Sequence, residues 1–208
     1  NSLESIVKGI ESGAACVEFD VRFLNDGTPV LSHDEKGKEK SVKLDSALNL
    51  LYSYKVYINL DLKETSFVKN VADLISFYKL EDRCFFTGIT EDKVSIIKTY
   101  APKVSFFLNT KITKSQKNDK SYLLGLGKKV KELGAVGINV KHTNINKQCV
   151  DIFHSQNLLV SVYTVNSNLD INLALSKNVD NITTLRPTKA VSLISRFSFS
   201  ACYRVHFG

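Results

Sequence analysis

The sequence predicts an α/β protein whose parallel sheet is covered by helices and organised as a TIM (β/α)8 barrel. Short β-branched or aromatic runs alternate with amphipathic helical stretches along nearly the whole chain, the pattern of a parallel sheet with crossover helices. No Gly-rich loop follows the first strand, as an open doubly wound sheet would usually show. The 208 residues sit near the floor of roughly 200 for such a barrel.

The elements follow from local periodicity and punctuation. Ser2 to Ser12 reads as a helix ended by Gly13, and Cys16 to Leu24 as a strand. The Asn25-Asp26-Gly27 turn leads into a short strand, Pro29 to His33. Leu44 to Tyr54 is helical and Val56 to Lys63 is a strand. Helix Ser66 to Lys79, strand Cys84 to Ile89, helix Glu91 to Tyr100 and strand Val104 to Asn109 follow. Helix Ser121 to Leu133, strand Val136 to Val140, helix Asn146 to Gln156 and strand Leu158 to Val165 continue the alternation. Helix Leu169 to Ser176, strand Asn181 to Thr184 and helix Thr188 to Ser195 complete it.

Seven major strands precede Arg196 and the chain opens on a helix, whereas closure of this barrel takes eight strands. The expectation is therefore a barrel domain over residues 1–195 whose first strand is missing or is replaced by a C-terminal tail, residues 196–208.

Composition narrows the function classes. Hydrophobic residues are 43% and charged residues 24%, with 10 Gly and 3 Pro, which excludes disordered, collagen-like and low-complexity chains. No apolar run approaches the roughly 18–20 residues of a membrane span, so no transmembrane segment is expected. The chain holds no Met and opens on Asn1, so its first residue reads as something other than a translation start; localisation stays open, with the cytoplasm favoured. Cys16, Cys84, Cys149 and Cys202 are widely spaced with no C-x-x-C pair, which points to core residues in a reducing compartment rather than a zinc or disulfide framework. The 28 Lys and Arg outnumber 21 Asp and Glu, a net +7, suited to an anionic ligand. The lysines are scattered and no RNA- or DNA-reading motif is present, so no nucleic-acid partner is expected.

Strand parity gathers the polar residues. In Val17 to Arg22 the apolar residues take odd positions, so Glu18, Asp20 and Arg22 share the inward face. The same parity in Ile58 to Lys63 turns Asn59, Asp61 and Lys63 inward. Three carboxylates on such a face form an oxygen site for a hard cation, Mg2+ or Ca2+; a salt-bridge layer joining them to Arg22 and Lys63 is the alternative. Lys141 and His142 end a later strand at a level where they could touch a substrate, or belong to a solvated loop.

With His33 thirteen residues after Asp20, the sequence resembles the glycerophosphodiester phosphodiesterase family. Gly13-Ala14-Ala15-Cys16-Val17-Glu18-Phe19-Asp20-Val21-Arg22 is similar to that family's GADGVELDVR. Asn25 to Val30 with Ser32-His33-Asp34 resembles DGVPVVxHD, and Asn1 to Ser5 looks like the ENTL helix start. Asn59 to Lys63 is similar to NIEIK, Val162 to Asn166 to VWTVN, and Val179 to Pro187 to VDGIITDRP.

The resemblance implies a barrel enzyme that hydrolyses small-molecule glycerophosphodiesters to glycerol 3-phosphate and an alcohol, using one divalent cation, Mg2+ or Ca2+. It implies Glu18, Asp20 and Asp61 as metal ligands, Asp61 standing in place of the usual Glu. His33 would do general acid–base work, with Lys63 assisting at the phosphate and Arg22 and Tyr163 on the substrate, Tyr163 standing where Trp is frequent. Leu185 replaces an Asp of the last-strand motif, and the short stretch between His33 and Val56 omits the family's small insertion.

The family's opening strand, which carries a His-Arg-Gly, has no counterpart ahead of Asn1. In Arg196 to Gly208 apolar and polar residues alternate with strict period two. The end, Val205-His206-Phe207-Gly208, echoes the family's AHRG, so a permuted chain would place His206 and Arg204 inward as the second histidine and an anion ligand. An unrelated tail is the alternative. Two other functions share this pattern: a phospholipase D-like enzyme of the same fold, and a non-catalytic phosphoester-binding remnant. Oligomeric state is not legible.

Overall fold

The computed structural model describes residues 1–197 and divides into two compact units, Asn1–Ser105 and the residues from Phe106 onward. The first unit begins with α1, Leu3–Glu11. Its start is fixed by a reciprocal cap: the Ser5 amide donates to Ser2 Oγ and the Ser2 amide to Ser5 Oγ, both at 3.2 Å.

Then come β1 (Cys16–Phe23), β2 (Pro29–Leu31), α2 (Leu44–Leu51), β3 (Tyr57–Leu62), α3 (Val68–Phe77), β4 (Cys84–Ile89) and α4 (Val94–Tyr100). The strand order is β2-β1-β3-β4. β1 and β2 form an antiparallel hairpin, and β1, β3 and β4 run parallel. Parity acts as the sequence indicates: Val17, Phe19, Val21 and Phe23 are buried on one face of β1, as are Ile58, Leu60 and Leu62 on β3. Leu44, Ala47, Leu48 and Leu51 make the apolar stripe of α2 and are all fully buried; each leucine contributes roughly 1.5–3 kcal/mol by leaving water. Arg83, just before β4, caps the exposed carbonyls where α2 ends, donating to the oxygens of Tyr54, Leu51 and Tyr52.

In the second unit the order is β5 (Ser105–Asn109, straddling the boundary), α5 (Lys120–Glu132), β6 (Gly137–Lys141), α6 (Lys147–His154), β7 (Leu159–Tyr163), α7 (Asn168–Ser176), β8 (Asn181–Ile182) and α8 (Pro187–Phe197). The strands lie in the order β5-β6-β7-β8 and are parallel. Three helices start at side-chain caps: Asp119, Asn146 and Ser167 accept from the amides of Tyr122, Cys149 and Asp170. One face of this sheet carries a polar row in register, Asn109 opposite Asn139, Asn139 opposite Ser161, and Ser161 opposite Asn181. The Asn139 amide nitrogen donates to Asn109 Oδ1 at 3.2 Å, and its own buried Oδ1 has no partner among the described residues.

Departures from the sequence reading are local. β2 stops at Leu31 instead of His33 because Ser32 Oγ turns to bond the Asp34 carbonyl at 2.7 Å. The 91–100 helix divides into a 3-10 turn, Glu91–Lys93, and α4. The tail from Ser198, with His206 and Arg204, lies outside the described residues. Among the described residues no helix is long and apolar enough to cross a membrane.

Burial pushes the Cys84 thiol up to about 12, and burial followed by the Glu18 charge raises that of Cys16 further still. Cys84, which is buried, should stay unmodified by iodoacetamide in the native protein at pH 8 and react once it unfolds, which peptide mass spectrometry checks; native-state alkylation of Cys84 would contradict this burial.

Candidate active site

The first unit brings together, at the C-terminal ends of β1, β3 and β4, most of the polar residues singled out by parity. Asp20 and Asp61 are register partners across β1 and β3. Both carboxylates converge on one ammonium, that of Lys63: Asp20 Oδ1 lies 2.6 Å from Nζ, and Asp61 Oδ2 is its second partner. Burial pulls the Asp20 carboxyl up, yet hydrogen bonds from Lys63 and Asn1 outweigh it and hold the group below its usual range. Burial likewise pulls Lys63 down, and its bonds to Asp20 and Asp61 outweigh that and raise it.

Glu18 sits two register pairs earlier, opposite Asn59. Its Oε2 accepts from Asn59 Nδ2 at 3.0 Å. Among the described residues no three His, Cys, Asp or Glu side chains converge as a ligand set. The site holds a two-carboxylate clasp around the Lys63 ammonium, whereas Arg22 pairs with Glu35 and Glu64.

Four further residues finish the clasp. Thr87, the register partner of Asp61 on β4, donates from Oγ1 toward Asp61 Oδ1 at 3.0 Å and Asn59 Oδ1 at 2.9 Å. Gly88 follows with φ +76°; a Cβ there would lie 2.5 Å from the Leu62 carbonyl oxygen and 2.8 Å from Asp61 Oδ1. Lys93 Nζ gathers the carbonyls that end β3 and β4, donating to Gly88 O at 2.9 Å and Leu62 O at 3.3 Å. At the other side Asn1 brackets Asp20, its Nδ2 donating to Oδ2 at 2.9 Å and its Oδ1 accepting the Asp20 amide at 3.1 Å. Sequence reasoning missed all four. Asn1 belongs to the ENTL-like helix start, which gives no sign of its contact with Asp20; Thr87 and Lys93 carry no motif, and Gly88 declares itself only through the neighbouring strand.

His33 stands beyond the end of β2 with its side chain 71% exposed. Nδ1 pairs with Asp34 Oδ1 at 2.9 Å. Arg22 fastens this loop from below: Nε donates to the His33 carbonyl at 3.0 Å and Nη1 to Glu35 Oε2 at 3.0 Å, with Glu64 Oε1 at 3.8 Å. Its planar fork is thereby taken up by protein partners. Arg22→Ala should speed amide hydrogen exchange over residues 32–36 by about tenfold or more; unchanged exchange would show that the loop holds without it.

In the second unit, Tyr163 ends β7 in register with Lys141 of β6. His142 follows, Nδ1 3.9 Å from Asp170 Oδ1. His154 Nε2 pairs with Asp180 Oδ2 at 2.8 Å, an oxygen that also accepts the Val160 amide, so it serves the strand end.

Comparison with known proteins agrees. The model of the glycerophosphoryl diester phosphodiesterase family matches residues 1–43 and 40–189. A glycerophosphodiester phosphodiesterase of Bacillus altitudinis is 22% identical over 233 aligned positions, covering 93% of this chain and 91% of the relative. A solved structure from Silicibacter pomeroyi superposes with TM-score 0.79 at 17% identity, over 95% of this chain and 89% of that one. A phosphodiesterase of Oleispira antarctica, solved in complex with the product sn-glycerol-3-phosphate, gives TM-score 0.74 at 19% identity, over 93% and 90%. At these identities the structures speak for the fold, an α/β fold of the TIM-barrel class.

Fold and family match together define a phosphoric diester hydrolase. With the family model covering most of its length, the chain belongs to the glycerophosphoryl diester phosphodiesterase family.

Proposed function

We propose that the chain hydrolyses glycerophosphodiesters to glycerol 3-phosphate and an alcohol with the help of one divalent cation, Mg2+ or Ca2+. The observation that carries this reading is the pair of in-register carboxylates focused on one cationic centre beside an exposed, carboxylate-oriented histidine.

The site's chemistry fits a hard cation. Asp20 and Asp61 offer oxygens only, and the Lys63 ammonium stands in for the charge they would receive. Gly88 leaves open the space beside Asp61 Oδ1 that a side chain would fill. Asp20 and Asp61 would hold the ion, with Glu18 as the third oxygen donor once released from Asn59. A bound divalent ion supplies neutralisation of the phosphodiester charge.

The chain's own residues do the rest. Hydrolysis forms a bond from a water oxygen to phosphorus, that water giving up a proton to the solvent, and breaks the bond to the alcohol oxygen, which must gain a proton. His33 is the group to hold that proton: Asp34 on Nδ1 orients the ring and leaves Nε2 toward solvent and substrate. Lys63, when its carboxylates are otherwise satisfied, offers a point charge for a phosphate oxygen. Arg22 positions the His33 loop. The aromatic role given to Tyr163 rests on the motif alone.

Turnover of glycerophosphocholine with added Mg2+ or Ca2+, and with a chelator, tests the proposal. Turnover should need the ion, and Asp61→Asn should raise the ion concentration giving half-maximal rate by about tenfold or more. Chelator-resistant turnover would overturn the cation's role, and no turnover under any ion would overturn the substrate assignment.

A further inference from the structure

Charge is divided unevenly between the two units. Residues 1–105 carry 14 Lys and Arg against 16 Asp and Glu, a net −2. Residues 106–197 carry 13 against 5, a net +8. The excess is also localised. The four segments that follow the C-terminal ends of β5, β6, β7 and β8, or close them, span residues 110–120, 141–147, 164–170 and 183–189. They hold eight Lys and Arg against two Asp. Because β5 to β8 are parallel, all four segments emerge at the same end of this unit. Lys111, Lys114, Lys120, Lys141, Arg186 and Lys189 are exposed there.

The same end presents bare aliphatic side chains. Leu185, in the loop after β8, is 80% exposed, and Leu169, in the first turn of α7, is 68% exposed. Among the described residues the exposed large aromatics, Tyr52, Phe67, Phe77 and Tyr100, all belong to the first unit. Exposed leucines at the end of the unit that also carries this excess of lysine and arginine suit insertion below a layer of anionic headgroups. Single-stranded nucleic acid would call instead for exposed aromatic platforms on which bases stack.

We propose that the second unit docks, by the loops at the C-terminal ends of β5 to β8, onto an anionic lipid surface, with Leu169 and Leu185 entering the headgroup layer and the surrounding lysines and arginines pairing with lipid phosphates. This docking is peripheral and independent of the hydrolysis reading.

The test is co-sedimentation of the full chain with vesicles of phosphatidylcholine alone, or with about 30 mol % phosphatidylglycerol added. Anionic vesicles should bind at least about 30-fold more tightly than neutral ones, and about 0.5 M NaCl should abolish the difference. The double variant Leu169→Ser, Leu185→Ser should bind anionic vesicles about tenfold more weakly at unchanged circular dichroism. The charge variant Lys111→Glu, Lys114→Glu should lose at least as much. Equal partition onto neutral and anionic vesicles would overturn the proposal. So would a leucine variant that binds anionic vesicles like the parent, or oligonucleotide RNA that displaces the chain from vesicles and binds that variant undiminished.

Discussion

His33→Ala lowers the turnover of glycerophosphocholine by about 10²–10⁴-fold, the range for losing a positioned acid–base group, and leaves the unfolding midpoint where it was. The second half follows from exposure. With the imidazole 71% and the Asp34 carboxylate 81% open to solvent, their contact at 2.9 Å contributes little to folding. Removal costs chemistry and not packing. Asp34→Asn leaves the ring in place but removes the carboxylate that orients it, so it gives a smaller loss. Steady-state rates with urea unfolding of the same samples decide the matter. Turnover of His33→Ala within about threefold of the parent would remove His33 from the proton-transfer role.

Gly88→Ala has the largest expected effect on stability. Its φ of +76° costs an L-residue about 1–2 kcal/mol. The added methyl also meets the Leu62 carbonyl at 2.5 Å and the Leu62 amide nitrogen at 3.0 Å, backbone atoms that cannot swing aside. Overpacking of that kind adds about 1–3 kcal/mol, for a total of about 2–5 kcal/mol. Gly37 is the internal control: its φ is +85° and a Cβ there meets nothing within 4 Å, so Gly37→Ala should cost the conformational part alone. A difference of less than about 1 kcal/mol between the two variants in urea unfolding would refute the crowding account. Because the same methyl would sit 2.8 Å from Asp61 Oδ1, activity should fall with stability at Gly88 and not at Gly37.

The fold is largely readable from periodicity. Apolar residues at odd positions of β1 and even positions of β3 turn Glu18, Asp20, Asp61 and Lys63 to the opposite face, and no tertiary information is needed for that. Parity leaves open whether those acids hold a metal or a lysine. The clasp depends on β1 and β3 aligning so that Asp20 meets Asp61, and a one-residue slip would send every one of these side chains to the other face. Thr87 and Gly88 escape notice for the same reason, since their importance lies in the β3–β4 register and in nothing local to their own strand. Arg22 is legible as an inward residue, but its pairing is not, because Glu35 and Glu64 reach it from loops whose paths no periodicity describes. The exposure of Leu185 is invisible too, as an apolar residue beside a strand reads as core until the turn that carries it is seen.

The Asp20–Lys63–Asp61 clasp bears on how the protein matures. Two carboxylates brought together by strand pairing would repel each other, and a chain lacking its own positive charge there would need an external ion before the strands could close. Here the third member of the cluster is encoded two residues after Asp61 on the same stretch of chain, so a compensating positive charge arrives with the strand itself and eases the repulsion. Pairing of β1 with β3 thereby becomes independent of any external ion, and a newly made chain can complete this part of its core in an ion-poor setting.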